Sequence, residues 1–157
     1  MASAEWLRKT ELFGTLSESQ LNTILAHSEG KSCVEGETIF KQGDKANHIY
    51  ILIEGLIELS VKAEEKFGLL TSKIEKEGAV FGMPSLIEPF LYNVTATCSK
   101  PSKVLVINAG RLKMEMEKDS KMGLEIMKKL VYIYFNRINE LRSGVSNLFK
   151  VFKFKTS

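Results

Sequence analysis

The sequence predicts an α+β fold, in which an antiparallel β-roll or barrel of jelly-roll-like form is flanked by short N-terminal helices and a long C-terminal helix. Two observations predict it. Glycines recur between short runs rich in Ile, Val, Leu and Thr over residues 31–108, and apolar residues recur with helical spacing over residues 109–157. The length of 157 residues suits one domain. We therefore expect N-terminal helices in residues 1–30, the roll in 31–108 and C-terminal helices in 109–157.

The composition argues against several classes of protein. With 44% hydrophobic and 26% charged residues the chain is ordinary for a globular protein, and its net charge of +3 is too small to argue for a nucleic-acid partner. Cys33 and Cys98 lie far apart in strand-like segments, so we expect buried free thiols in a reducing cytoplasm. No basic and apolar leader and no long apolar run is present, which predicts neither secretion nor a membrane span.

Two short helices are predicted before the roll. The first covers about residues 4–10, with Trp6 and Leu7 on its apolar face. The second begins at the capping-box pattern Ser17-Glu-Ser-Gln20 and continues through Ala26. We expect both helices to pack against the segment that follows them.

Seven short runs of β-forming residues predict the strands of the roll. They are Ser32–Val34, Thr38–Lys41, His48–Ile53, Leu56–Lys62, Leu69–Glu75, Tyr92–Cys98 and Lys103–Ile107. Glu54 and Gly55 separate two of the strongest runs, which predicts a tight hairpin at that point.

The stretch Gly78–Thr97 is the part of the chain on which the functional interpretation depends. It has the pattern of a strand end, a glycine, one short helical turn, a loop and a further strand. Pro84 suits the start of a helix, where its missing N–H would have no partner in any case. The free N–H groups at a helix start attract anions, and Gly82 lets a ligand approach the backbone closely. The pattern therefore predicts an anion-binding loop.

This stretch resembles the phosphate-binding cassette of the cyclic-nucleotide-binding domains, the family of catabolite activator protein and kinase regulatory subunits. That family's pattern is Phe-Gly-Glu, two residues, Leu, a short loop, Arg, and small residues that run into a strand. Phe81, Gly82 and Leu86 match it. Met83 stands where the family's glutamate takes the ribose hydroxyl, and Tyr92 falls by spacing where its arginine pairs with the cyclic phosphate. The resemblance therefore implies a related fold with both decisive ligand side chains replaced.

The resemblance covers nearly the whole chain. Residues 36–39 (GETI), 42–44 (QGD) and 49–55 (IYILIEG) are similar to the early strands and turns of the same family. It implies a β-roll of the double-stranded β-helix type, one such domain over residues 1–157, and a regulatory role in signal transduction.

The replaced side chains imply that binding of cyclic AMP or cyclic GMP is weak or absent. The resemblance assigns the ligand pocket to Phe81, Gly82, Met83, Ser85, Leu86, Tyr92 and Asn93. Hydrogen bonds to a charged group are worth about 1.5–3 kcal/mol each, so losing both side chains removes on the order of 3–6 kcal/mol, a factor of roughly 10²–10⁴ in affinity. The backbone donors of Gly82, Ser85 and Asn93 are expected to survive. Either an uncharged or weakly anionic small molecule occupies a pocket lined by Tyr92 and Met83, or these side chains fill it.

The long C-terminal helix carries two apolar stripes after a predicted N-cap at Asn108, a short helix over Ala109–Glu117 and a second start at Asp119 or Ser120. One stripe, which we call the seam, repeats at alternating spacings of four and three, as in a coiled coil. The seam residues are Met127, Val131, Tyr134, Ile138, Leu141, Val145 and Leu148. The other stripe contains Ile126, Leu130 and Ile133. We expect one stripe to cover the roll and the seam to form a homodimer; the alternative is that the helix packs only on its own roll.

The sequence offers little support for catalysis. His27 and His48 are isolated, two distant cysteines cannot hold an iron–sulfur cluster, and a cupin-type metal site would need clustered histidines. We therefore predict no enzyme, no metal and no cofactor. The given sequence stops within about fifteen residues of the predicted end of the long helix, too short for a helix-turn-helix, so no DNA binding by this chain itself is expected. Two functions stay open: a regulatory sensor with a remodelled pocket, or a ligand-free dimeric adaptor.

Overall fold

A single antiparallel sheet forms the centre of the computed structural model, which describes residues 2–62 and 69–156. Within those residues its six strands are β1 (Ser28–Cys33), β2 (Thr38–Phe40), β3 (His48–Lys62), β4 (Leu69–Ile74), β5 (Val80–Phe81) and β6 (Thr95–Asn108). The order is β1-β6-β3-β4, with β2 paired to β6 and β5 paired to β3. The architecture confirms the predicted antiparallel β-roll.

Helices precede and follow this sheet in the part of the chain that the structure describes. They are α1 (Ala4–Arg8), α2 (Glu18–Ala26), α3 (Ala109–Lys118) and α4 (Ser120–Thr156). The predicted capping box starts α2, since the Gln20 N–H donates to Ser17 Oγ at 3.2 Å and the Ser17 N–H donates to Gln20 Oε1 at 2.9 Å. The predicted N-cap of α3 is also confirmed, because the Arg111 N–H donates to Asn108 Oδ1 at 2.9 Å.

The predicted hairpin at Glu54 and Gly55 is wrong, because β3 continues through both residues as one strand. Gly55 has φ +116°, and its pairing partner β6 shifts register there. A Cβ at Gly55 would lie 2.7 Å from the Cα of Ser102, so the glycine permits a close approach of two strands. The chain uses this glycine for a bulge-like irregularity where the sequence pattern suggested a turn.

Replacing Gly55 by alanine is expected to lower the free energy of unfolding by about 1–3 kcal/mol, because the new methyl group meets backbone and strains a left-handed φ. Gly30 in β1 is the matched control, since a Cβ there meets nothing within 4 Å. Urea unfolding of both variants measures the difference. Equal effects at the two glycines would contradict this account of Gly55.

Two boundaries of the roll also differ from prediction. β1 begins at Ser28, inside the segment assigned to the N-terminal helices, and pairs with β6. The prediction missed this start because the polar residues of β1 show no strand-like alternation of apolar and polar side chains. The last two predicted strands are one strand, β6, in which Pro101 lies at the irregular pairing opposite Gly55. Tyr92 and Asn93 precede β6 in a loop.

The apolar side chains form two separate clusters. The helix-side core lies between helices and sheet; its members include Leu7, Ile24, Ile49, Val80, Met83, Leu86, Leu105, Leu112, Ile126, Leu130 and Ile133. The roll interior is enclosed by the strands; its members include Phe40, Tyr50, Leu52, Ile57, Phe81, Tyr92, Ala96, Cys98 and Val104. This division decides which predicted site residues can meet.

The two stripes of α4 have different environments. Ile126, Leu130 and Ile133 are at most 4% exposed, so this stripe covers the roll as expected. From residue 138 to residue 151 every side chain is exposed, and the helix continues through Gly144. The helix therefore has a docked half and a projecting half.

The start of α4 is tied to α2. Asp119 Oδ1 accepts the Met122 N–H at 3.1 Å, and its Oδ2 accepts Gln20 Nε2 at 3.0 Å. These hydrogen bonds, that from Gln20 first, hold the pKa of Asp119 below its ordinary value. The carboxylate form thus fixes where the long helix begins.

Candidate functional site

The predicted cassette lies at the end of β5. Gly82 follows Phe81 in the left-handed region at φ +77°, and Met83–Leu86 form one 3₁₀ turn. A Cβ at Gly82 would lie 3.0 Å from Tyr50 Cδ2 and 3.2 Å from the His48 carbonyl oxygen. Both the backbone conformation and the contact with β3 therefore require glycine here.

Tyr92, at the position predicted for the family's arginine, points into the roll and is 4% exposed. Its hydroxyl donates to the His48 carbonyl oxygen at 2.8 Å and accepts the His48 N–H at 3.3 Å. Its ring stacks on Phe40 with centroids 3.8 Å apart and planes 13° from parallel. The side chain is therefore held at both its ring and its hydroxyl.

Four rings pack together in the roll interior beside Gly82, and we call them the aromatic cluster: Phe40, Tyr50, Phe81 and Tyr92. The ring centroids of Tyr50 and Phe81 are 5.0 Å apart, those of Phe40 and Tyr50 5.6 Å, and those of Phe40 and Phe81 6.2 Å. Such offset and tilted arrangements are favourable for aromatic rings. The roll interior beside Gly82 is thus packed with aromatic side chains.

The aromatic cluster is uncharged at neutral pH. Burial raises the pKa of the Tyr50 hydroxyl well above its ordinary value, and the neighbouring Tyr92 adds to this effect. Burial also raises the pKa of Tyr92, although its hydrogen bond to the His48 backbone works in the opposite direction. The four side chains of the aromatic cluster therefore supply no positive charge for a phosphate.

The structure does not bring Met83 and Tyr92 together. Met83 and Leu86 pack in the helix-side core, whereas Phe81 and Tyr92 pack in the roll interior. The two side chains therefore belong to different apolar clusters. The physical reason is the 3₁₀ turn, which directs the side chain at 83 away from the strand face that carries Phe81.

The backbone donors expected to serve a ligand are only partly available. Ser85 is fully buried, and both its N–H and its hydroxyl donate to the Gly82 carbonyl oxygen, at 3.2 and 2.8 Å. Asn93 is exposed on the loop before β6. The Ser85 amide, predicted to be free for a ligand, is thus used inside the turn.

The seam of α4 is largely uncovered in the single chain. Met127 and Tyr134 pack partly against the helix-side core. The exposed seam residues are Val131 (65%), Ile138 (46%), Leu141 (68%), Val145 (44%) and Leu148 (57%). Pairing through this surface stays a prediction.

Sequence reasoning missed Phe40, which completes the aromatic cluster from β2. Its strand is short, and the resemblance assigns no ligand role to it. Alternation along β3 does place Tyr50 and Leu52 on one face, which is the signal that would have located the roll interior.

Comparison with known proteins identifies the family of this chain. Residues 31–119 match the family model described as cyclic nucleotide-binding domain, and the chain belongs to that family. A putative cyclic nucleotide-binding protein from Geobacter metallireducens is 34% identical, with a TM-score of 0.74 over 83% of this chain and 94% of that one. No curated protein gives a significant match.

More distant structures share the fold. The N-terminal domain of a transcriptional regulator from Streptomyces coelicolor is 20% identical, with a TM-score of 0.68 over 87% of this chain and 94% of that one. The Thermus thermophilus catabolite activator protein is 18% identical, with a TM-score of 0.71 over 88% of this chain and 63% of that one.

Two further observations concern residues 2–62 and 69–156 alone. None of their helices combines the length and apolar character needed to cross a bilayer. They contain no group of three or more His, Cys, Asp or Glu side chains placed to hold a metal ion.

Proposed function

We propose that this chain is a regulatory domain of the cyclic-nucleotide-binding family whose pocket is filled by its own aromatic cluster, so that it works as a ligand-free dimeric adaptor. The observation that carries the proposal is Tyr92, which stacks on Phe40 and bonds to the His48 backbone at the position predicted for the phosphate-binding arginine. A protein–protein role needs no catalytic group, and none is assigned.

Opening the pocket for a nucleotide would be costly. Moving Tyr92 out would give up ring burial, worth about 1.5–3 kcal/mol, stacking, worth about 0.5–1.5 kcal/mol, and a hydrogen bond worth about 0.5–1.5 kcal/mol. A cost on the order of 3–5 kcal/mol lowers affinity by roughly 10²–10⁴ before the missing guanidinium is considered. Cyclic AMP and cyclic GMP are therefore expected to bind at millimolar concentration or not at all.

The projecting half of α4 supports the dimer. Residues 138–151 form about 21 Å of helix whose side chains are all exposed, and isolated helices of this length are marginal in water. Its exposed apolar side chains follow the coiled-coil spacing of the seam. A second copy of the chain, aligned in parallel, buries this stripe against an identical one.

The buried free thiols Cys33 and Cys98 fit a reducing compartment, and we place the protein in the cytoplasm. Burial, followed by the nearby Glu37 carboxylate, raises the pKa of the Cys33 thiol. Both thiols are accordingly structural side chains of the roll.

Titration calorimetry with cyclic AMP and cyclic GMP tests the filled pocket directly. We expect no binding heat below about 1 mM for the wild-type protein, by the cost given above. A micromolar dissociation constant would overturn the filled pocket and favour a nucleotide sensor, and a different small molecule found in the pocket would favour the remodelled sensor.

Tyr92→Arg tests whether the rest of the cassette can still hold a nucleotide. A guanidinium at this position restores a charge-assisted pair with the phosphate, and we expect a dissociation constant for cyclic AMP of about 0.1 mM. At that value, 10 mM cyclic AMP stabilises the variant by about 2–3 kcal/mol. Tyr92→Met is the matched control, because it removes the ring without adding charge. Thermal melts with and without nucleotide measure both. Equal shifts in the two variants would show that charge is not what the cassette lacks.

A further inference from the structure

The outer edge of β5 has no neighbouring strand in the described part of the chain, where β5 pairs with β3 alone. Backbone groups on an unpaired edge need other partners when they are buried. Val80 is fully buried in the helix-side core, so the partners of its outward N–H and C=O groups matter for β5.

Two side chains supply those partners. The Val80 N–H donates to Glu11 Oε1 at 3.2 Å, and Arg137 Nη2 donates to the Val80 carbonyl oxygen at 2.7 Å. Arg137 Nη2 also lies 3.2 Å from Glu11 Oε1, which makes an ion pair. The Glu11 carboxylate and the Arg137 guanidinium, held next to each other by their charges, thus replace the backbone acceptor and donor that an adjacent strand would offer Val80.

Among the described side chains, Arg137 is also the last of α4 to hydrogen-bond to another element. It follows Ile133 by one turn on the docked face, and the side chains from residue 138 to residue 151 are all exposed. The docked half of the helix therefore ends at this ion pair.

Val80 directly precedes Phe81, whose ring stacks on Tyr50 in the aromatic cluster. We infer that the Arg137–Glu11 ion pair is a latch, which replaces a missing strand on the edge of β5 and couples the docking of α4 to the closure of the aromatic cluster. This inference concerns the chain's own packing and holds whether or not α4 pairs with a second copy.

The latch is placed where it can open. The side chains of Arg137 and Glu11 are 30% and 36% exposed, and both line a surface cavity of about 560 Å³ between α4 and the turn before β5. An ion pair in contact with water is weakened by salt. Opening frees Val80 on one side and the last docked turn of α4 on the other, so the two should loosen together.

Amide hydrogen exchange of the full chain, measured segment by segment, tests the latch. In Arg137→Met we expect exchange to be about tenfold faster at residues 80–82 and 133–137, as for the loss of one charge-assisted hydrogen bond, with β6 unchanged. Arg142→Met is the matched control, since Arg142 is exposed on the same helix; it should leave all these segments unchanged. Uniformly faster exchange, or no change at residues 80–82, would overturn the latch.

Two more measurements keep the test independent of that one variant. In the wild-type protein, raising salt from about 0.1 M to about 1 M shortens the screening length from roughly 10 to roughly 3 Å and should speed exchange in the same two segments, leaving β6 unchanged. Combining Arg137→Met with Glu11→Gln should add little to Arg137→Met alone, because the ion pair is already lost in that variant and the glutamine oxygen can still accept the Val80 N–H. Full additivity, or salt-independent exchange, would contradict the coupling.

Discussion

Replacing Phe40 by alanine is expected to lower the free energy of unfolding by about 3–5 kcal/mol, because it removes a ring that is 5% exposed and leaves a cavity in the aromatic cluster. The loss includes the stack on Tyr92 at 3.8 Å and contacts with Tyr50 and Phe81. Urea unfolding, with the slope checked for two-state behaviour, measures this value.

The matched control is Phe135→Ala, since Phe135 is 61% exposed on α4. A substitution at an exposed position is expected to change stability by no more than about 0.5 kcal/mol. The cavity itself can be tested, because an apolar cavity remains dry and binds small apolar molecules such as benzene. Benzene should raise the melting temperature of Phe40→Ala and not that of the wild type. The absence of that difference would show that the cluster does not fill an enclosed space.

The parts of the fold that depend on local sequence could be predicted. A capping box satisfies its own hydrogen bonds within four residues, so Ser17 and Gln20 identify the start of α2. Asn108 identifies the start of α3 for the same reason. The Phe81-Gly82 motif was informative because a left-handed glycine in contact with β3 tolerates no other residue. These local signals located the starts of α2 and α3 and the glycine that follows β5.

The parts that depend on contacts between distant segments could not be predicted. A strand-like run follows Gly55 whether this glycine forms a turn or a bulge. Only the close approach of Ser102, which is distant in sequence, distinguishes the two. The separation of Met83 from Tyr92 follows from the course of the 3₁₀ turn, which spacing along the chain does not reveal. Arg137 and Glu11 are 126 positions apart, and each looks like an ordinary surface charge in the sequence.

Two isoleucines on different faces of α4 allow the docking of this helix to be tested separately from its proposed pairing. Ile126 is fully buried and Ile138 is 46% exposed. Ile126→Ala is expected to lower the free energy of unfolding by about 2–5 kcal/mol. Ile138→Ala should change the stability of the single chain by less than about 0.5 kcal/mol, but should weaken the dimer about tenfold, because a seam side chain is buried by the partner helix in the proposed dimer.

Sedimentation equilibrium gives the dimer constant, and unfolding at several protein concentrations separates folding from association, since a dimer's apparent stability rises with concentration. Ile126→Ala should keep its dimer constant wherever the protein is still folded, because Ile126 lies on the docked face. A wild-type chain that remains monomeric at high micromolar concentration would refute the dimer. Parallel loss of stability and dimer in both variants would instead mean that α4 docks and pairs through one continuous surface, because only then does each isoleucine serve both contacts.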